Sequence, residues 1–444
     1  MTLNPNAEGP ARAALDVHGK ALQLNLDPSV YGTFAEIGGG QEVARWFLRV
    51  GAASGTVAKT ICAYDKTVSD AVYGQGTRYV SRERLAAMLD HEYDLLIDRL
   101  SSDRGAGTRF FAFANTVATR SYQGDNEQHG WVGVRFQVAP GSPPSDAFIH
   151  VNLMDDSADK QQQALGLLGV NLIYACINQR ISAQAFLTGL YEGLDRSRME
   201  TDVIHIAGPA FAGQKDSAWA MRALSMKMTH ALVFGADGKV AEPSSVLRKR
   251  PMAVIRGRFI SDQPFYETML EASREHLRKE HAVLNREPIS LLETTNAQWQ
   301  DGPTPGDVEM LSRIERMLKF GPAIASDFGP TYELAAYLRR YTAEPVRMAV
   351  GVAGLLQILE TSYYGELPGT VLEALGKLLS ENVKLVVHAM PAERLKAVLA
   401  ESRVRFGVDF PAEGNVHVKD LKLSGPIGHL LEYVCQAGWV EGLE

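Results

Sequence analysis

The chain has 444 residues, more than one ordinary core holds, so two or three domains are expected. With 45% hydrophobic and 22% charged residues, it has the composition of a folded globular protein. Its net charge of −7 lacks the basic surplus of a dedicated nucleic-acid binder, so nucleic acid is not the expected partner.

Residues 1–20 read as a flexible polar tail. They show neither the basic n-region nor the apolar h-region of a secretory signal, and the expected location is the cytoplasm. The longest apolar runs, Ala164 to Ile177 and Met348 to Leu359, are broken by Asn171 and Gln357. Both fall short of the roughly 18 residues of a spanning helix, so no membrane association is expected. Cys62, Cys176 and Cys435 are far apart, form no CxxC pair and read as reduced thiols.

From Tyr31 to Tyr73 the chain mixes charge, glycine and aromatic residues without the clean apolar periodicity of a packing segment. Gly38-Gly39-Gly40 runs into a predicted helix over Gln41 to Val50. Ser81 to Arg99 follows as a second helix, with Ser81 at its N-cap. Thr108–Val117, Gly130–Val138 and Asp146–Met154 read as consecutive antiparallel strands, the last two joined by the turn-forming segment 139–145. Helices are predicted over 159–177, 182–194, 217–230 and 265–281, and strands over 203–206, 251–259 and 289–293. Asp237-Gly238 marks a hairpin.

Residues 300–307 read as a linker. Beyond it, helices over 307–319, 332–341, 352–360 and 370–380 alternate with strands at 346–351 and 383–388, the pattern of a small parallel or mixed sheet. The expected fold class is α/β or α+β, with mixed sheets flanked by helices. The expected division is a mixed α/β domain over 21–299, possibly two subdomains, and a helix-rich C-terminal α/β subdomain over 308–444.

Two stretches carry the candidate chemistry. In the first, Glu36, Lys59 and Asp65 are acid–base candidates, because such work needs titratable groups whose pKa is moved by neighbours. Gly38, Gly39, Gly40, Gln41 and Arg45 are candidate ligand contacts at a helix start, where backbone N–H groups are unpaired. In the second, Asn115 to Gln137, His129 is an acid–base candidate because it titrates near neutrality. Asn115, Arg120, Trp131 and Arg135 are candidate ligand contacts, the arginines as an anion clamp and the indole as a stacking surface. The opposing reading makes the first stretch ion pairs and caps, and the second a polar hairpin with Trp131 in the core.

No metal is expected. Asp90, His91, Glu92 and Asp94 read as a solvated helix face, and His150 with Asp155 and Asp156 has no better ligand spacing. GGGQE is not a P-loop, the glycines lack GxGxxG spacing, and no GxSxG elbow occurs. The cofactor is unknown.

The runs YGTFAEIGGGQEVARWF, GTVAKTICAYDKTVSDAVYG, RYVSRERL, RFFAFANTVATRSY and HGWVGVRFQ resemble a family of cytosolic bacterial proteins. The resemblance continues through LAAYLRRYT and LEALGKLL, roughly residues 28–390. Members go by the names TonB-dependent receptor and nicotinate-nucleotide adenylyltransferase. The many helical segments do not suit an outer-membrane barrel, and the paired-histidine HxGH motif of such transferases is missing. The resemblance therefore implies a soluble family without implying a mechanism.

The functional expectation is an enzyme or sensor for an anionic small molecule, nucleotide-like or phosphorylated. The alternative is a self-assembling scaffold without catalysis. In either case a homo-oligomer is expected.

Overall fold

The computed structural model describes residues 15–180, 182–260, 264–280, 286–297 and 305–443. It is an α/β protein, 44% helix and 24% strand, with mixed sheets of six and eight strands flanked by helices. The chain divides into two compact units, Met1–Lys215 and Asp216–Glu444. The segment 300–307 thus falls inside the second unit, and its residues 300–304 lie outside the described ones, as do residues 1–14 of the expected tail.

The first unit begins with α1 (Val17–Asn25), β1 (Val30–Ile37), α2 (Glu42–Val50), β2 (Val57–Ile61), α3 (Lys66–Tyr73) and α4 (Arg82–Arg104). β3 (Arg109–Ala118), β4 (His129–Gln137), β5 (Pro144–Leu153), α5 (Ala158–Tyr174), α6 (Ala183–Leu190) and β6 (Met199–Ala207) complete it. The sheet order is β2-β1-β3-β4-β5-β6. β1 is parallel to both β2 and β3, and β3 through β6 run antiparallel. The three β-rich runs of the sequence are thus neighbouring strands, as their alternation and short connections require.

Side-chain alternation assigns the two faces. Phe34 of β1 meets Phe47 of α2 and Phe111 and Phe113 of β3, with ring centroids 5.0, 5.6 and 6.2 Å apart. On the opposite face, a Cβ at Gly133 would lie 2.9 Å from Leu85 and 3.1 Å from Leu89 of α4, so glycine there lets the helix lie close on the sheet. The chain passes from β1 through α2 to β2, then back past β1 to β3 by way of α3 and α4. The order therefore reverses at β1, and the carboxyl ends of β1, β2 and β3 form a crevice where α/β sheets commonly bind ligands.

The second unit opens with α7 (Asp216–Ser225), the hairpin β7 (Ala231–Phe234) and β8 (Val240–Ala241), and α8 (Pro243–Leu247). β9 (Met252–Arg256), α9 (Pro264–Glu280), β10 (Ile289–Thr295), α10 (Asp307–Met317), β11 (Ala323–Ser326) and α11 (Thr331–Arg339) follow. Then come β12 (Val346–Gly351), α12 (Val352–Leu359), α13 (Thr370–Leu378) and β13 (Val383–His388). Short strands β14 (Met390–Pro391), β15 (Val408–Asp409), β16 (Asn415–Val416) and β17 (Lys422–Leu423) accompany α14 (Ala392–Ala400), before α15 (Pro426–Gln436) and β18 (Val440–Leu443).

Strands 346–351 and 383–388 do not form a small sheet of their own. They join one eight-stranded sheet ordered β18-β13-β12-β9-β10-β11-β7-β8. Its six parallel strands follow the order 3-2-1-4-5-6 of doubly wound α/β sheets, with the hairpin added antiparallel on β11. The strands are apolar on both faces because helices cover both. Among the described residues, no helix is long and apolar enough to cross a membrane.

Candidate functional site

The two polar stretches of the sequence meet in the first unit. β1 and β3 are parallel neighbours with Glu36 opposite Asn115. Asn115 donates from Nδ2 to Glu36 Oε2 at 3.2 Å and accepts from Ile37 N at 3.1 Å. The Glu36 carboxylate also accepts from Val43 N at 3.2 Å and Ala44 N at 2.9 Å. It therefore fills the start of α2, where Gln41 makes no side-chain cap bond. Glu36 is buried, and burial pushes its pKa up to about 7 against the opposing pull of these donors.

The glycines allow this return of the chain. Gly38 has φ +89°, and a Cβ there would lie 1.9 Å from the Val117 carbonyl oxygen. A Cβ at Gly39 would lie 2.7 Å from Leu165. Thr119 Oγ1 donates to the Gly38 carbonyl at 3.2 Å. Close packing of the turn on β3 and α5 accounts for Gly38 and Gly39, Gly40 takes φ +73°, and Glu36 already occupies two N–H groups of the helix start.

The charged candidates around this turn separate. Lys59 lies opposite Thr33, three positions from Glu36 on an alternating strand, and so on the α4 face of the sheet. Asp65 caps α3 by accepting from Val68 N at 3.1 Å. Gln41 Nε2 reaches Thr60 Oγ1 at 3.4 Å, and exposed Arg45 pairs with Glu42 at 3.2 Å. Partial burial and the Glu36 carboxylate raise the Cys62 pKa, which favours the neutral thiol.

Lys59 instead joins Tyr73 and Glu92, and Glu92 is buried and not part of a solvated helix face. The Lys59 Nζ lies 2.6 Å from Glu92 Oε2. Glu92 is buried on α4, and Tyr73 donates to its Oε1 at 3.0 Å. Burial, then the Glu92 carboxylate, raises the Tyr73 pKa, so the phenol stays a donor at neutral pH. Beside this cluster lies a cavity of about 250 Å³ walled by Thr33, Ala58, Leu95, Leu96, Arg99 and Leu100. Lys59, 39% exposed, opens into it over the buried carboxylate. A larger open hollow of about 620 Å³ beside α15 is bordered mostly by exposed or half-exposed side chains.

The candidates of the second stretch also part company. Arg135 pairs through Nε and Nη2 with both oxygens of Asp146, at 2.8 and 2.9 Å, and through Nη1 with Asp90 of α4. These carboxylates occupy its fork and raise its pKa further. Arg120 donates its backbone N–H to Gln161 at 2.7 Å, and its exposed guanidinium lies along Gly124. Trp131 is buried on β4 with its ring 5.1 Å from that of His150. His129 Nδ1 lies 3.0 Å from His150 Nε2, and His150 Nδ1 lies 2.6 Å from Asp202.

In the second unit the crevice at the order reversal lies between β9 and β12. Arg256 at the end of β9 pairs with buried Glu293 at 3.0 Å and donates to the carbonyls of Phe328 and Gly329. A Cβ at Gly351, where α12 begins, would lie 3.4 Å from Met390 and 3.9 Å from Phe265. Met390 and Phe265 thus lie against the start of α12 beside this crevice.

No protein-family model matches the chain, and no curated protein matches it in sequence. Part of the chain is similar in fold to solved structures of the competence/damage-inducible class. The competence/damage inducible protein CihA of Agrobacterium tumefaciens is 17% identical over 39% of this chain and 98% of its own, with a TM-score of 0.28. A CinA superfamily protein of Enterobacter cloacae is 11% identical over the same shares, also at 0.28. One of Escherichia coli is 14% identical over 38% of this chain and 96% of its own, at 0.26. The likeness concerns the fold of about two fifths of the chain, and no sequence family follows from it.

Proposed function

We propose that the first unit binds a small anionic molecule in the cavity beside Lys59. The observation that carries this reading is an ammonium held over a buried carboxylate at the mouth of an apolar-walled cavity. Glu92 fixes the position of Lys59, and Tyr73 and Thr33 share the carboxylate, with Thr33 Oγ1 3.4 Å from it. Arg99 lines the same cavity and adds a second cation. Leu95, Leu96 and Leu100 offer an apolar wall to the body of the ligand, the usual make-up of a small-molecule site. A phosphate or carboxylate group suits the cations. The cavity is slightly smaller than the roughly 300 Å³ at which drug-sized sites begin, which favours a compact metabolite over a dinucleotide.

The test is thermal melting of the full chain with inorganic phosphate, sugar phosphates, mononucleotides and dicarboxylates. At least one anion is expected to raise the wild-type midpoint, because binding to the native state stabilises it. That rise is expected to vanish in Lys59→Met and shrink in Arg99→Met. The same rise in Lys59→Met, or no rise with any anion, overturns the proposal.

A further inference from the structure

A second polar cluster lies on the α4 face of the first unit's sheet, on strands β4, β5 and β6. Register builds it. His129 is opposite Asn152 and Trp131 opposite His150, so all four side chains share one face. His129 and His150 are then diagonal neighbours, close enough for long side chains to meet. The β5–β6 pairing shifts between His150 and Val151, and this bulge brings Asp202 to the histidine pair.

The resulting contacts have the order of a metal-ligand shell. His129 Nδ1 and His150 Nε2 approach to 3.0 Å. The other nitrogen of His150 contacts Asp202 at 2.6 Å, both side chains being almost fully buried. Asn152 Nδ2 holds the second Asp202 oxygen at 2.7 Å. A carboxylate on the far nitrogen fixes the tautomer and aims the near nitrogen's lone pair, as it does for metal-bound histidines. The indole Nε1 of Trp131 is buried and has no hydrogen-bond acceptor among the described residues. It offers a donor, next to the pair, for an oxygen ligand completing the shell.

We propose that His129 Nδ1 and His150 Nε2 bind one divalent transition-metal ion, with Asp202 positioning His150. At 3.0 Å the two nitrogens are close enough to ligate one ion, and imidazole nitrogens suit nickel, copper and zinc alike.

The experiment is calorimetric titration of the full chain, stripped with a chelator, with Ni²⁺. Wild type is expected to bind one equivalent. His129→Ala leaves the buried His150–Asp202 pair in place and is expected to weaken binding at least tenfold. Asp202→Asn is expected to cost about 10- to 100-fold, the usual effect of removing an outer-shell carboxylate. Cu²⁺ resonance spectra of wild type are expected to show coupling to two nitrogens, and those of His129→Ala to one. The chain carries 11 histidines, so a second weak site is discounted by comparing variants. Absence of binding by wild type, or equal binding by His129→Ala, refutes the proposal.

Discussion

Glu36→Gln is the most direct probe of how the turn at Gly38 is held. The carboxyl group is buried, and its pKa stands at about 7 in the folded chain. An unfolded glutamate titrates near 4.3–4.5. Between these values the unfolded chain has lost a proton that the folded chain retains, so folding stability falls as pH rises. The full shift of about 2.5 units corresponds to about 3.4 kcal/mol, of which about 2.5 kcal/mol falls between pH 5 and pH 8. Stability from this group is thus present below the unfolded value and lost as pH rises through about 7. Glutamine keeps the shape and one acceptor for the α2 N–H groups but does not ionise. It is expected to destabilise by about 1–2 kcal/mol at pH 5, where a donor replaces an acceptor near Val43 and Asn115. Near pH 8 it is expected to be neutral or stabilising. The assay is urea unfolding of both full-length proteins at the two pH values, followed by tryptophan fluorescence. The quantity read is the change in their stability difference, in which other titrating groups cancel. A change below about 1 kcal/mol, or one of opposite sign, refutes the assignment of Glu36 as a buried, proton-retaining cap.

Gly38→Ala is expected to cost more than about 3 kcal/mol or abolish soluble expression, because φ is +89° and the new Cβ meets the Val117 carbonyl at 1.9 Å. A wild-type melting midpoint would contradict this. Arg135→Lys loses the two-point contact with Asp146 and is expected to lower stability by about 1–2 kcal/mol without changing the anion response described above. Melts with and without the anion check both halves. Arg256→Met leaves Glu293 buried without its cation and is expected to cost about 3–5 kcal/mol, whereas Arg256→Met with Glu293→Met recovers most of the loss. Equal melting curves for the single and double variants would count against the pairing.

Much of the first unit is legible in its sequence because its signals are local. Ser81 and the apolar spacing of α4, the glycine turn and the three alternating runs each determine their own geometry. Glu92 shows where reading by neighbours fails. Beside Asp90, His91 and Asp94 it reads as part of a solvated face, yet Leu85, Met88, Leu89, Tyr93 and Leu96 place it on the apolar stripe. A carboxylate at stripe spacing is the signal that was available for a buried acid. The His129–His150–Asp202 cluster offered no comparable sign. His150 and Asp202 are 52 positions apart, and their meeting depends on strand register and on a bulge. The second unit's strand order is similarly hidden, because parallel pairings of β9 with β12 and of β13 with β18 span long helical crossovers.

The strand order reverses at β1 in the first unit and between β9 and β12 in the second, and the two crevices differ in the charges at them. In the first, Glu36 turns inward and its carboxyl oxygens take the Val43 and Ala44 N–H groups, which removes donors that place would otherwise offer an anion. On the other face, Lys59 is tied to buried Glu92 and keeps solvent access beside the cavity. In the second, the end of β9 carries Arg256, whose guanidinium forms an ion pair with Glu293 and donates to the Phe328 and Gly329 carbonyls. Burial raises the Glu293 pKa and Arg256 opposes the rise, so the pair uses its charge on itself. Strand order alone would direct a search for ligands to both crevices. The charge arrangement directs it to the α4 face of the first unit, where a partly exposed cation anchored on a buried carboxylate lies beside an apolar-walled cavity.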